Sequence, residues 1–90
     1  MAPKASILAE IQYKIGSNYS SWRIGLTHNL IERKAHWKDT EKQDITHWKD
    51  WTADSLSDGQ DIERHFISKG AKGGTGGDLS AYKTVYVYIF

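Results

Sequence analysis

Thr84-Val85-Tyr86-Val87-Tyr88-Ile89-Phe90 ends the chain, and its reading decides the architecture. Successive side chains of a strand point to opposite faces, so Val85, Val87 and Ile89 share one face while Tyr86, Tyr88 and Phe90 share the other. An edge strand wet on one side needs no apolar groups on both. This segment is therefore expected in the middle of a sheet, covered on both faces.

The elements that would flank it are read outward from there. Ser57-Asp58-Gly59-Gln60 has the form of a capping box opening a helix, whose buried side carries Ile62, Phe66 and Ile67 and whose end is Gly70. Before it, Ile45 to Ala53 reads as a strand, since Thr46, Trp48, Trp51 and Thr52 suit a pleated surface despite the Lys49-Asp50 pair. Residues 39 to 44 are a polar connector. A shorter strand, Ser21 to Gly25, leads into a helix capped by Thr27 or Asn29 that runs to about Lys38 and offers Leu30, Ile31, Ala35 and Trp37 to the core. At the start, Pro3 suits a first helical turn, and Ile7, Leu8, Ile11 and Ile15 recur at helical spacing up to Gly16, giving an amphipathic helix over residues 4 to 15 that covers the sheet. The predicted fold is one α+β domain over residues 1 to 90, with a three-stranded antiparallel sheet, flanking helices and the C-terminal strand central.

Composition narrows the function classes. Ninety residues leave no room for a second core, and with no cysteine the stability must come from packing, for which four tryptophans, five tyrosines and two phenylalanines provide the area. No stretch is long and apolar enough to span a membrane, and residues 1 to 15 lack the pattern of a signal peptide, so a cytoplasmic protein without a membrane partner is expected. Twelve basic and eleven acidic side chains leave a net charge of +1, which argues against non-specific coating of nucleic acid. The charge is unevenly placed, however. Arg23, Arg33, Lys34 and Lys38 cluster with His28 and His36, opposed within that stretch by Glu32, so a local basic face remains compatible with a neutral total.

Trp22 to Arg33 carries the one resemblance to a known family. Ile24-Gly25, three residues, Asn29-Leu30, two residues and Arg33 together resemble the GIY-YIG nucleases, in which a strand ending in Tyr-Ile-Gly turns into a helix bearing an arginine. Ile62-Glu63-Arg64-His65-Phe66-Ile67 is similar to the family helix that carries a metal-binding glutamate. The likeness spans about residues 22 to 67. Two features depart from it: Arg23 stands where the family has the tyrosine of Tyr-Ile-Gly, and no Gly-Ile-Tyr strand precedes it. In the family that first strand is central, so the C-terminal strand is expected to occupy its place, as in a circular permutation, with Tyr86 or Tyr88 standing in for an active-site tyrosine.

The resemblance implies a nucleic-acid-directed domain, DNA before RNA, acting as an endonuclease with Mg²⁺ or Mn²⁺. Arg33 would stabilise the phosphate, Glu63 would bind the metal, and Tyr86, Tyr88 or His28 would serve as base or positioning group. Arg23, Lys34, Lys69 and Lys72 are the candidate nucleic-acid contacts. The alternative is a binding or protein-interaction module that keeps the fold without the chemistry, and the plainest reading of Arg33 and Glu63 is as exposed helix residues paired with each other. His28, His36, His47 and His65 match no zinc-ligand spacing. Gly73-Gly74-Thr75-Gly76-Gly77 is either a turned connector or, with Lys69 and Lys72, an anion nest; it is not a P-loop. Most of the tryptophans are expected in the core, whereas an exposed one beside Arg23 would mark a binding surface.

Overall fold

A computed structural model describes residues 3–73 and 79–90. The sheet is built around its last strand. Among the described residues there are four strands: β1 (Arg23–Thr27), β2 (Lys49–Thr52), β3 (Lys72–Gly73) and β4 (Tyr86–Ile89). Their order is β2-β4-β1-β3, with β4 antiparallel to both β1 and β2, and β3 parallel to β1. The expected central position of the C-terminal strand is thus met. The expected three-stranded antiparallel sheet is corrected to a four-stranded mixed one. The extra strand arises where the chain leaves its last helix through Gly70, at φ 117°, and Lys72 N donates to Trp22 O at 2.8 Å. Two residues carry no hydrophobic alternation, so nothing in the pattern signals such a strand.

Register separates the two faces of the sheet. Ile24 pairs with Ile89, and Leu26 with Val87, which also faces Trp51. Against this face pack α1 (Lys4–Ile15), through Ile7, Ile11 and Ile15, and α3 (Leu56–Ser68), through Ile62 and Phe66. Ile7, Ile11, Ile62, Phe66, Val87 and Ile89 are fully buried, each such side chain contributing about 1.5–3 kcal/mol by its removal from water. Lys4 Nζ meets Asp61 Oδ2 at 3.2 Å and ties the two helices at the surface. The opposite face carries Gly25, Thr27, Asp50, Thr52, Tyr86 and Tyr88, with Gly25 opposite Tyr88 and Tyr88 opposite Asp50.

Several boundaries differ from expectation for local reasons. β1 lies two residues later than Ser21 to Gly25, because Tyr19–Ser21 winds into a 3-10 turn first. Ile45 to Trp48 is a turn rather than the start of β2: Asp44 Oδ1 accepts from Thr46 N at 2.9 Å and Trp48 N donates to Ile45 O at 3.1 Å. The cap of α3 is Ser55, whose Oγ accepts from Asp58 N at 3.0 Å, so the box read at Ser57 begins two residues too late. Ile67 is half out of the core, 39% exposed. α2 is a six-residue helix, Leu30–Ala35, that continues as a π-helical turn over His36–Thr40. None of its residues is buried, and Ile31 is 85% exposed. The core assignment of Leu30, Ile31 and Ala35 is therefore corrected: the side of α2 that faces inward meets a polar cleft. Gly74 to Gly77 lie outside the described residues. No described helix is long and apolar enough to cross a membrane.

Candidate functional site

The turn from β1 into α2 is fixed by its own side chains. Thr27 Oγ1 accepts from Asn29 N at 3.1 Å, and Asn29 Oδ1 caps the helix by accepting from Glu32 N at 3.1 Å. The Asn29 amide in turn donates to Glu32 Oε2 at 2.8 Å. This cap satisfies one of the backbone amides that the first helical turn leaves without a partner.

Arg33 opens onto a cleft of about 290 Å³. It is lined by Arg23, Ile24, Gly25 and Leu26 of β1, Arg33 of α2, His36, Trp37 and Glu41 after it, Glu63 of α3 and Tyr88 of β4. Three residues singled out in the sequence, Arg33, Glu63 and Tyr88, therefore come together from α2, α3 and β4. Arg23 joins them. No ion pair links Arg33 to Glu63, so the plain reading of a mutual salt bridge is not what holds them there.

The other candidates lie elsewhere. Tyr86 shares a face with Tyr88 but is not part of the cleft lining. His28 is stacked on Tyr82, with centroids 3.7 Å apart and planes at 13°, in an adjoining depression of about 160 Å³. That depression shares Arg33 and His36 with the main cleft. Lys34 lies over the Trp48 ring at 5.6 Å, Lys69 over Tyr19 at 6.0 Å, and Lys72 is in β3; none lines the cleft.

Tyr88 is 4% exposed and held on several sides. Its ring is stacked on Trp48 at 4.7 Å, and Trp48 is stacked in turn with Phe90 at 5.5 Å. Its hydroxyl accepts from Trp37 Nε1 at 2.9 Å. It also lies so close to Gly25 that a Cβ there would collide with it. Burial raises the phenol above its ordinary range, and Glu63 adds to this; the Trp37 hydrogen bond, Arg33 and Arg23 pull the other way without reversing it. Tyr88 is consequently a neutral phenol at physiological pH.

Glu63 is half-buried, and desolvation raises its carboxyl above the usual range against the pull of Arg64. A carboxylate held in this way gains from a cation. Among the described residues no three His, Asp or Glu side chains are grouped as a metal cage. Glu63 alone offers one hard oxygen ligand, which does not make a closed zinc site.

Trp37, Trp48, His36 and Glu41 belong to this site or its support. Trp37 was expected in the core, and three of the four tryptophans, Trp22, Trp37 and Trp48, are only partly buried while Trp51 is in the core. The Arg23 guanidinium sits 4.6 Å above the Trp37 ring. The signal available in the sequence was the association of tryptophans with cations, which cannot say which ring meets which charge. His36 Nε2 is 3.7 Å from Glu41 Oε2; this pairing depends on the π-helical turn and has no sequence pattern. Comparison with protein-family models, curated proteins and solved structures gives no match to this chain.

Proposed function

We propose that this chain is a nucleic-acid-directed domain whose cleft hydrolyses phosphodiester bonds with the help of a divalent metal. In this reading it is a divergent relative of the GIY-YIG nucleases in which β4 takes the place of their first strand. The observation that carries the proposal is that Arg33, Glu63 and Tyr88, distant in sequence, line one cleft. The position of β4 beside β1 supports it as well.

Each residue has a role that its chemistry allows. Arg33 offers a planar, permanently charged fork for two phosphate oxygens. Glu63 would hold Mg²⁺ or Mn²⁺. Such a metal, when bound, supplies charge neutralisation at the leaving oxygen. Tyr88 provides a hydroxyl in the cleft lining, and Arg23 adds positive charge there. His28 and His36 lie along the adjoining depression as imidazoles able to take a proton from water.

A second reading, a binding module without catalysis, is favoured by one observation. Arg23 replaces the family tyrosine and is engaged with Trp37, which builds a cation–aromatic surface rather than a proton acceptor. A plasmid-nicking assay with Mg²⁺ or Mn²⁺ on wild type, Glu63→Ala and Arg33→Ala separates the two. Nicking abolished by both substitutions supports the nuclease. No nicking, with salt-sensitive retention of DNA or RNA, supports the module. Nicking unaffected by either substitution removes the catalytic reading.

A further inference from the structure

The Tyr88 oxygen makes one hydrogen bond to a described residue, and in it the oxygen accepts from Trp37 Nε1. An indole N–H only donates, whereas a phenol hydroxyl both accepts and donates. The phenol cannot swing away from this arrangement. Trp48 is stacked flat on its ring, the planes 4° apart, and Gly25 lies directly against the hydroxyl. With one acceptor position taken and the ring clamped, the hydroxyl proton is left to the directions that open on the cleft.

We infer that Trp37 is a positioning residue, which turns the Tyr88 O–H into the cleft as a donor to a phosphate oxygen of a bound nucleic acid. The choice of ligand rests on the function proposed above; the pairing of Trp37 with Tyr88 rests on geometry alone. The charged and titratable groups around the phenol are Arg23 of β1, Arg33 of α2, His36 of the π-helical turn and Glu41 just after it, Glu63 of α3 and Asp50 across the sheet. Tyr88 keeps its proton at neutral pH in this setting, as a donor must.

Two readouts test the inference. The first needs no ligand: by NMR at neutral pH, Tyr88→Phe moves the Trp37 indole N–H resonance upfield, and Trp37→Phe moves the Tyr88 Cζ resonance while the remaining spectrum stays folded. Phenylalanine at 37 removes the donor and keeps an aromatic ring, though a smaller one, for Arg23 and Phe90. The second is affinity for a short single-stranded DNA oligonucleotide without metal. Each single variant is expected to bind roughly threefold to tenfold more weakly, the loss of one hydrogen bond. The double variant is expected to bind no more weakly than Tyr88→Phe, because Trp37 acts through Tyr88. Unmoved resonances, or additive losses in the double variant, would overturn the inference. Wild type that binds no oligonucleotide while the two resonances remain coupled would overturn the nucleic-acid reading and the phosphate assignment, and would leave the positioning of the hydroxyl standing.

Discussion

The indole of Trp48 lies flat on the phenol of Tyr88, centroids 4.7 Å apart, although the two residues belong to a turn and to the central strand. This stack holds one side of a residue that lines the cleft. Trp48→Ala removes it together with the contacts to Phe90 and Lys34. Denaturant unfolding is expected to show a loss of about 1–3 kcal/mol. The Tyr88 resonances should broaden at the same time, and a variant as stable as wild type with a sharp Tyr88 signal would contradict the role given to the stack.

Gly25 is required by contact rather than by backbone angle. A methyl group there would meet the Tyr88 hydroxyl, so Gly25→Ala must displace the phenol or the strand. Calorimetry is expected to show destabilisation by about 1–3 kcal/mol. Shortening the neighbour should relieve it: Gly25→Ala in a Tyr88→Ala background is expected to cost measurably less than in the wild type. Equal costs in both backgrounds would show that the phenol is not the obstacle.

Glu63 provides a pH test. Its carboxyl is raised in the folded protein by burial, so the ionised form is disfavoured by folding. The folded state therefore binds this proton more tightly than the unfolded state, and stability is lost as pH rises from the unfolded value through the folded one. Glu63→Gln is accordingly expected to melt higher than wild type at pH 7. The difference should close in acid, where both states of the wild type are protonated. A substitution that is destabilising at pH 7 would mean that Glu63 has a compensating cation.

α2 and α3 answer truncation in opposite ways. Ile31 is exposed and Ile62 is fully buried. Ile62→Ala is expected to cost about 2–5 kcal/mol, and Ile31→Ala to stay within about 0.5 kcal/mol. Comparable losses would place α2 against the core after all.

What could be read from the sequence follows from how local each signal is. The helix over Lys4–Ile15 and the central strand were legible because their apolar periodicity is strong and uninterrupted. Ser57 competes with Ser55 as the cap because the two serines stand two residues apart and each has a polar residue three positions on. Ile31 misled because an isoleucine on a short helix looks like a core residue, whereas the inward side of α2 is committed to Arg33. The meeting of Arg33, Glu63 and Tyr88 was anticipated only through the family resemblance, since no local pattern brings three separate elements together. Trp37 escaped altogether as a partner of Tyr88: its hydrogen bond spans 51 residues and depends on the π-helical turn that carries it.

The place of β4 also governs how this chain can reach its native state. β1 and β2 touch the sheet on opposite sides of β4 and have no ladder with each other. Until the segment from Val85 onward inserts between them, neither can complete a sheet, and the hydrophobic face prepared by α1 and α3 has only half a surface to cover. Closing such distant pairings before any reward is slow relative to helical domains of the same size. The expected behaviour is a single cooperative transition with no stable N-terminal half, in which the sheet and the floor of the cleft are completed by the same late event.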